Sequence, residues 1–436
     1  MHRPFLAIVA LLLAHELLAQ SVAPGNDTIH KEELRADLFF VASDAMRGRL
    51  TDTPENRVTT AFVRSRFERL GLEPMGPEGS YFQPFRLITA RLATDNDFEL
   101  LDSRGSAVRW RVRRDFSPEL FSASGGVEAE VVFVGFGIHA PSLGHDDYAG
   151  GAVRGKIAMV LDHEPGERDP ESPFDGVVAS EFSNARRKAL AAQSAGAVGI
   201  LFVTDVHNHP EETDFRRESA AIWDEPPPRI RRYTLAHWAE AIQIPAVQIS
   251  PALADSLLAR AGRSLDELAR EAESTIASVP VPSTLLRVQV DVDRQVVMDR
   301  NVLAAMRGSD PSLSDEWVIV SSHFDHNGAD GDDVFNGADD DGSGTVALLE
   351  IAEAYAQAKE NGELPRRSVL FASWGSEERG LLGSWAYAES PIVPLARTVA
   401  VLNMDMIGRN EEVPVGGGRR FRGLDVQTAE SNDNAV

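Results

Sequence analysis

The segment His323–Gly344, HFDHNGADGDDVFNGADDDGSG, places seven aspartates and two histidines within twenty-two residues. Imidazoles and carboxylates are the side chains that hold zinc and other divalent transition metals, so metal chemistry is the first question this run raises. The plainer alternative is a solvated acidic loop whose glycines and aspartates only make turns. More carboxylates follow, in Ser376-Glu377-Glu378 and in Met404-Asp405, each behind its own apolar run. A surface loop explains the first cluster but not why two later ones share its setting.

That setting is an alternation of strands and helices. EWVIVSSH, RRSVLFASWG and RTVAVLNMD read as buried strands, with GTVALLEIAEAYAQAKE and RGLLGSWAYAES as helices between them. Continuous apolar strands separated by helices predict an α/β sheet covered on both faces. Ligands of such sheets bind beyond the carboxyl ends of the strands. His323 with Asp325, Glu377 with Glu378, and Asp405 all fall at such ends, and Asp340 stands at the entry to the following helix.

The earlier chain is organised differently. HKEELRADLFFVASDAMRGRL and RVTTAFVRSRFERLGLEP are expected to be helical, with Ala61, Phe62, Ser65, Arg66 and Leu70 on one mixed face. AEVVFVGFG, GKIAMVLD, VGILFVTD and IPAVQIS read as strands, and NARRKALAAQSAGA as a helix. FRRESAAIWDEPPPRIRRYTLAHW, with three consecutive prolines, reads as a long surface loop. A fresh β-rich start at LLRVQVDV puts a domain boundary near residue 280.

Composition narrows the function classes. A formal charge of −24 would repel phosphates, which argues against a nucleic-acid partner. The chain has no cysteine, which excludes disulfides, thiol nucleophiles and cysteine-ligated zinc. Met1 to Ala19 carries Arg3 and a short apolar run broken by His15 and Glu16, so residues 1–19 are expected to be an export signal rather than a membrane span. The expectation is a soluble protein exported to the periplasm or the outside. No G-x-S-x-G, H-E-x-x-H or phosphate-binding G-x-x-x-x-G-K-[ST] occurs.

Four motifs in order, HFD, DDGSG, EERGLLGS and DM, resemble those of the two-zinc aminopeptidases, the group of bacterial leucyl aminopeptidases and glutamate carboxypeptidase relatives. The resemblance implies a zinc-exopeptidase-like mixed sheet covered by helices, with an inserted α+β protease-associated domain. It divides the chain into residues 20–117 as the amino-terminal helical part, 118–280 as the insert and 281–436 as a truncated zinc peptidase core. It implies that His323 and Asp405 hold one zinc, that Asp340 bridges two, and that Glu378 binds the second. Glu377 becomes the general base toward a two-zinc-bound water. Asp325 takes a hydrogen bond from His323, and a cis peptide joins Asp340 to Asp341. The activity implied is removal of the amino-terminal residue from peptides.

The second zinc of the family takes a final histidine downstream, and here none follows His326. The missing part is expected to carry it. An inactive exported metal-binding or interaction protein is the alternative that this gap supports. More remotely, Asp339, Asp341, Ser343 and Glu350 have the spacing of a calcium-binding EF-hand loop. His326 reads as a loop hydrogen-bonding residue, His207-Asn208-His209 as an exposed loop after a strand, and Arg47 and Arg49 as surface or salt-bridge residues.

Overall fold

The computed structural model describes residues 24–101, 107–212, 214–223, 228–274 and 278–408. The expected export signal and the tail beyond Gly408 lie outside the described residues. Two compact units are present, one of residues 24–85 with 298–408, the other of residues 86–297.

The chain enters the first unit through helices α1 (Lys31–Val41) and α2 (Pro54–Arg69). Thr53 caps α2 by accepting from the Asn56 amide, and Pro54 occupies its first turn, where a missing N–H costs nothing. The buried face of α2 is Asn56, Thr59, Thr60, Val63 and Phe67, not the face around Phe62 and Leu70. Burial here falls on two threonines and an asparagine, which an apolar pattern discounts. The stretch expected to be helical to residue 117 is so only through Arg69; strand β1 (Phe82–Leu92) follows.

The second unit holds β2 (Asp97–Leu101), β3 (Ala107–Trp110), β4 (Phe116–Pro118), β5 (Gly125–Phe133), β6 (Ile157–Leu161), helix α3 (Ala185–Ser194), β7 (Gly199–Val203), helix α4 (Phe215–Ile222), helix α5 (Ala236–Glu240), β8 (Ala246–Ile249), helices α6 (Pro251–Leu258) and α7 (Leu265–Ala272), and β9 (Val279–Val290). The strands form one sheet in the order β3-β2-β9-β5-β6-β7-β8-β4. Its centre, β5 to β8, is parallel. Along β6, Ile157, Met159 and Leu161 enter one apolar core while Ala158 and Val160 enter another, so both faces are covered. The expected long loop at 215–238 contains α4 and α5 instead. Trp223 ends α4 buried, its indole N–H donating to the Pro118 carbonyl at 2.7 Å.

The chain then builds the sheet of the first unit from β10 (Val292–Met306), β11 (Trp317–His323), β12 (Ser368–Trp374) and β13 (Thr398–Asn403), with helix α8 (Gly344–Glu360) after β11 and helix α9 (Leu382–Glu389) after β12. Its order is β1-β10-β12-β11-β13. β10 lies antiparallel to β12, while β12, β11 and β13 run parallel. Val302, Ala304 and Met306 enter one core and Leu303 and Ala305 the other, the alternation that a doubly covered sheet imposes. The expected α/β class is what the structure has.

Candidate metal centre

Register explains why the charged residues meet. His323 on β11 pairs with Trp374 on β12, and Ser321 on β11 pairs with Asn403 on β13. The residues just beyond these positions therefore leave three adjacent parallel strands at one edge. His323 Nε2 lies 3.2 Å from Asp340 Oδ1, 3.6 Å from Glu377 Oε2 and 3.7 Å from Asp405 Oδ1. His326 Nδ1 lies 2.6 Å from Glu378 Oε1 and 3.9 Å from Asp340 Oδ1. Every residue singled out from the motifs is in this cluster, and His326 joins it.

The sequence pointed His326 toward a loop hydrogen bond, and its side chain instead faces a carboxylate of the cluster. The available signal was its three-residue spacing from His323.

Several carboxylates act on the scaffold. Asp341 is fully buried and accepts from the His323 amide at 3.0 Å and the Gly344 amide at 2.8 Å. A Cβ at position 344 would lie 2.4 Å from Asp341 Oδ1 and 2.6 Å from the Met404 carbonyl, so glycine is required there. Asp325, also fully buried, accepts from the amides of Glu377 at 2.8 Å and Glu378 at 3.3 Å. The Asp325 atom nearest His323 Nδ1 is its backbone carbonyl, at 3.2 Å, with the carboxylate at 3.8 Å. Asp325 thus fixes the Glu377–Glu378 turn as much as the imidazole. The peptide between Asp340 and Asp341 is cis.

Arg49 is the residue whose role the sequence did not reveal. Expected at the surface or in a salt bridge, it is 1% exposed. Its guanidinium donates to the carbonyls of Phe324 at 2.8 Å, Val41 at 2.6 Å, Asn336 at 2.6 Å and Gly337 at 2.8 Å. One planar fork thereby ties the end of α1, the β11 exit and the acidic loop. Burial pushes Arg49 down to about 10, against Asp325, Asp341, Asp340 and Glu378, so it stays charged. Arg47 is exposed, as expected.

The electrostatics call for a cation. Burial opposes a charged His323, yet Asp340, Asp405, Asp325 and Asp341 outweigh it and push the imidazole up to about 11. Burial pushes Asp325 and Asp341 each up to about 7. His323 Nε2, His326 Nδ1 and Glu378 Oε1 are buried without hydrogen-bond partners although they point at one another's cluster. Lone pairs that converge without shared protons fit a divalent metal. Two donor groups can be drawn within reach of a single ion each: His326 with Asp340 and Glu378, and His323 with Asp405 and Asp341. Because both Asp341 oxygens already serve backbone amides, Asp340, 3.2 Å from His323, is the better third donor for the latter.

The EF-hand spacing does not produce an EF-hand. Residues from Gly344 onward are helix α8, and Glu350 is buried in it beside Arg66 Nη2 at 3.6 Å. A calcium loop needs that stretch as a loop with Glu350 turned toward the ion.

Residues 301–430 match the model of Peptidase family M28. An aminopeptidase of Pseudomonas aeruginosa is 36% identical over 139 residues, 31% of this chain and 23% of that protein. A Zea mays protein described as "Probable glutamate carboxypeptidase VP8" is 28% identical over 310 residues, 65% of this chain and 37% of that protein. Among solved structures, an aminopeptidase from Aneurinibacillus sp. strain AM-1 aligns with 87% of this chain and 71% of its own, at 20% identity and a TM-score of 0.43. The chain spans well under half the length of either curated relative. The match to the Peptidase family M28 model falls on the residues that carry the ordered histidine and carboxylate motifs.

Proposed function

We propose that this protein is an exported zinc-dependent exopeptidase that removes the amino-terminal residue of peptides. The observation that carries the proposal is Asp340 Oδ1, set 3.2 Å from one imidazole and 3.9 Å from another, each imidazole having a further carboxylate of its own. Asp340 is the bridging ligand in this reading, with His323 and Asp405 on one side and Glu378 on the other. His326 supplies a third donor beside Glu378. When bound, paired zinc ions polarise a peptide carbonyl and acidify a water.

Glu377 is the general base. It reaches the cluster, 3.6 Å from His323 Nε2, yet belongs to neither donor group. Burial raises its pKa, which suits a carboxylate that must take a proton and return it to the leaving amine. Its backbone amide is anchored on Asp325, so the side chain is delivered from a fixed turn. Arg49, the buried cation of this edge, is committed to four carbonyls and is not available for a substrate carboxylate.

Export is inferred from the apolar run after Arg3. No helix among the described residues is long and apolar enough to cross a membrane. We take residues 118–280 as the greater part of a protease-associated insert, whose sheet has its own two cores and extends beyond those bounds from Asp97 to Val290.

The test is hydrolysis of amino-acid p-nitroanilides by zinc-loaded protein, compared with the same substrates acetylated at the amine. Cleavage of the free-amine substrates alone is expected. Equal cleavage of both sets would reject aminopeptidase specificity, and zinc-independent turnover would reject the metal.

A further inference from the structure

We propose that the second unit carries a divalent-metal site of its own, formed by His163, Glu167 and His209. These residues lie in the loops that follow β6 and β7, adjacent parallel strands whose carboxyl ends adjoin. One carboxylate serves two rings: Glu167 Oε1 is 2.6 Å from His209 Nε2, and Glu167 Oε2 is 3.3 Å from His163 Nδ1. The three donor atoms fall within 4.8 Å of one another.

Ordinary ion pairing fits this arrangement poorly. His209 Nε2 is buried and, despite its short approach to Glu167, makes no hydrogen bond. The two imidazoles are stacked, with centroids 3.9 Å apart and planes 19° apart. Protonating both rings to satisfy Glu167 would place two cations face to face. The other His209 nitrogen, Nδ1, faces Glu212 at 3.6 Å and Glu211 at 3.9 Å. With the proton on Nε2 the ring meets Glu167 at 2.6 Å without forming a well-angled hydrogen bond, and with the proton on Nδ1 the Nε2 lone pair is directed at a carboxylate lone pair, a conflict that a metal ion between them removes.

The loops are built to hold this geometry. Glu273, just past α7, accepts from the Gly166 amide at 2.8 Å with one oxygen and from the Asn208 side chain at 2.5 Å with the other. The amide of His209 donates to the Asp205 carbonyl at 2.9 Å. Beneath them the buried Lys188 donates to the carbonyls of Leu161, at 2.7 Å, and His163. Two imidazoles and one carboxylate suit zinc or a neighbouring transition metal, with water completing the coordination. The ion would clip the β6 and β7 loops together.

Zinc titration by calorimetry tests this in the full chain carrying His323→Ala and Asp340→Ala, which breaks both donor groups of the first unit by removing one imidazole and the shared carboxylate. One residual zinc per chain is expected. Binding should be lost on adding His209→Ala and weakened about tenfold or more by Glu167→Gln. Absence of residual binding, or binding indifferent to both changes, overturns the proposal. Loss only on Glu211→Gln or Glu212→Gln overturns the assignment to Glu167. A second measurement needs no substitution: carbonate-ester modification of histidines in the unaltered chain, mapped by mass spectrometry. Zinc should protect His163 and His209 while the exposed His207 reacts unchanged, and continued reactivity of both rings at saturating zinc would overturn the site.

Discussion

The two sheets solve a similar problem with different materials. Each gathers histidines and carboxylates where adjacent parallel strands end, and each supports those loops from below with one buried cation. In the first unit the cation is Arg49, which binds four carbonyls from three separate segments. In the second it is Lys188, which binds two carbonyls on either side of Asp162. A planar guanidinium with five donors can organise several chain segments at once, whereas an ammonium on a flexible stem can pin one. The difference matches the work: the first cluster draws on several loops, the second on two held by Glu273.

The sharpest way to break the comparison is at Glu377, which has no counterpart in the second cluster. Glu377→Gln is expected to lower kcat about 10²–10⁴-fold with zinc content unchanged. Zinc lost along with turnover, measured by elemental analysis, would make Glu377 a ligand and the two clusters alike in kind. Next in size is Arg49→Met, which removes the side-chain donor from four carbonyls, of which Gly337's still accepts from the Gly342 amide. Each unsatisfied group costs roughly 1–3 kcal/mol, so even with partial relaxation a loss of about 3 kcal/mol is expected in urea unfolding. Arg49→Lys should recover only part of it, because a point charge cannot span the fork. Full recovery would mean that charge, not geometry, holds this edge.

Lys188→Met sharpens the contrast from the other side. It strands two carbonyls and removes the nearby positive charge that favours the ionised form of the half-buried Asp162, which keeps its hydrogen bond from Gln248. A loss of about 2 kcal/mol is expected, below that at Arg49 because fewer groups are left unpaired. Reversal of that order would show that the second cluster depends more on its cation.

These clusters also differ in how far sequence exposes them. His323, Asp340, Glu377, Glu378 and Asp405 are recognisable because each abuts a strand or helix with a strong apolar signature and the four motifs come in order. His163 and His209 are separated by a strand and a helix, in loops with no spacing that marks them, and only the parallel pairing of β6 and β7 brings them together. Arg49 is a related case, since its partners lie as far along the chain as Gly337. Its neighbours Arg47 and Gly48 share its left-handed backbone, a conformation not written in residue types except at the glycine. The buried strands were legible as apolar runs. The buried face of α2 was not, because Thr59, Thr60 and Asn56 are buried through hydrogen bonds to nearby carbonyls rather than through apolarity.

The smallest effect separates buried charge that is supported from buried charge that is not. Glu350 lies in α8 with no well-formed hydrogen bond to either carboxylate oxygen, unlike the carboxylates of Asp341 and Asp325. Its nearest cation, Arg66 at 3.6 Å, also serves Asp37 and Glu353. Burial raises the Glu350 pKa, Glu33 and more weakly Glu353 add to it, and the His30 amide and Arg66 lower it by less. A carboxyl with a raised folded-state pKa keeps its proton longer folded than unfolded. Its contribution to stability is fully present below the unfolded value and is lost as pH rises through the folded one. Glutamine has no proton to lose. The stability of Glu350→Gln relative to the parent should therefore improve as pH rises from about 4 toward neutrality. Urea unfolding of both proteins across that range is the measurement. A difference that stays flat with pH would mean Arg66 already compensates Glu350, and that the first unit supports this buried carboxylate as fully as those of its metal centre.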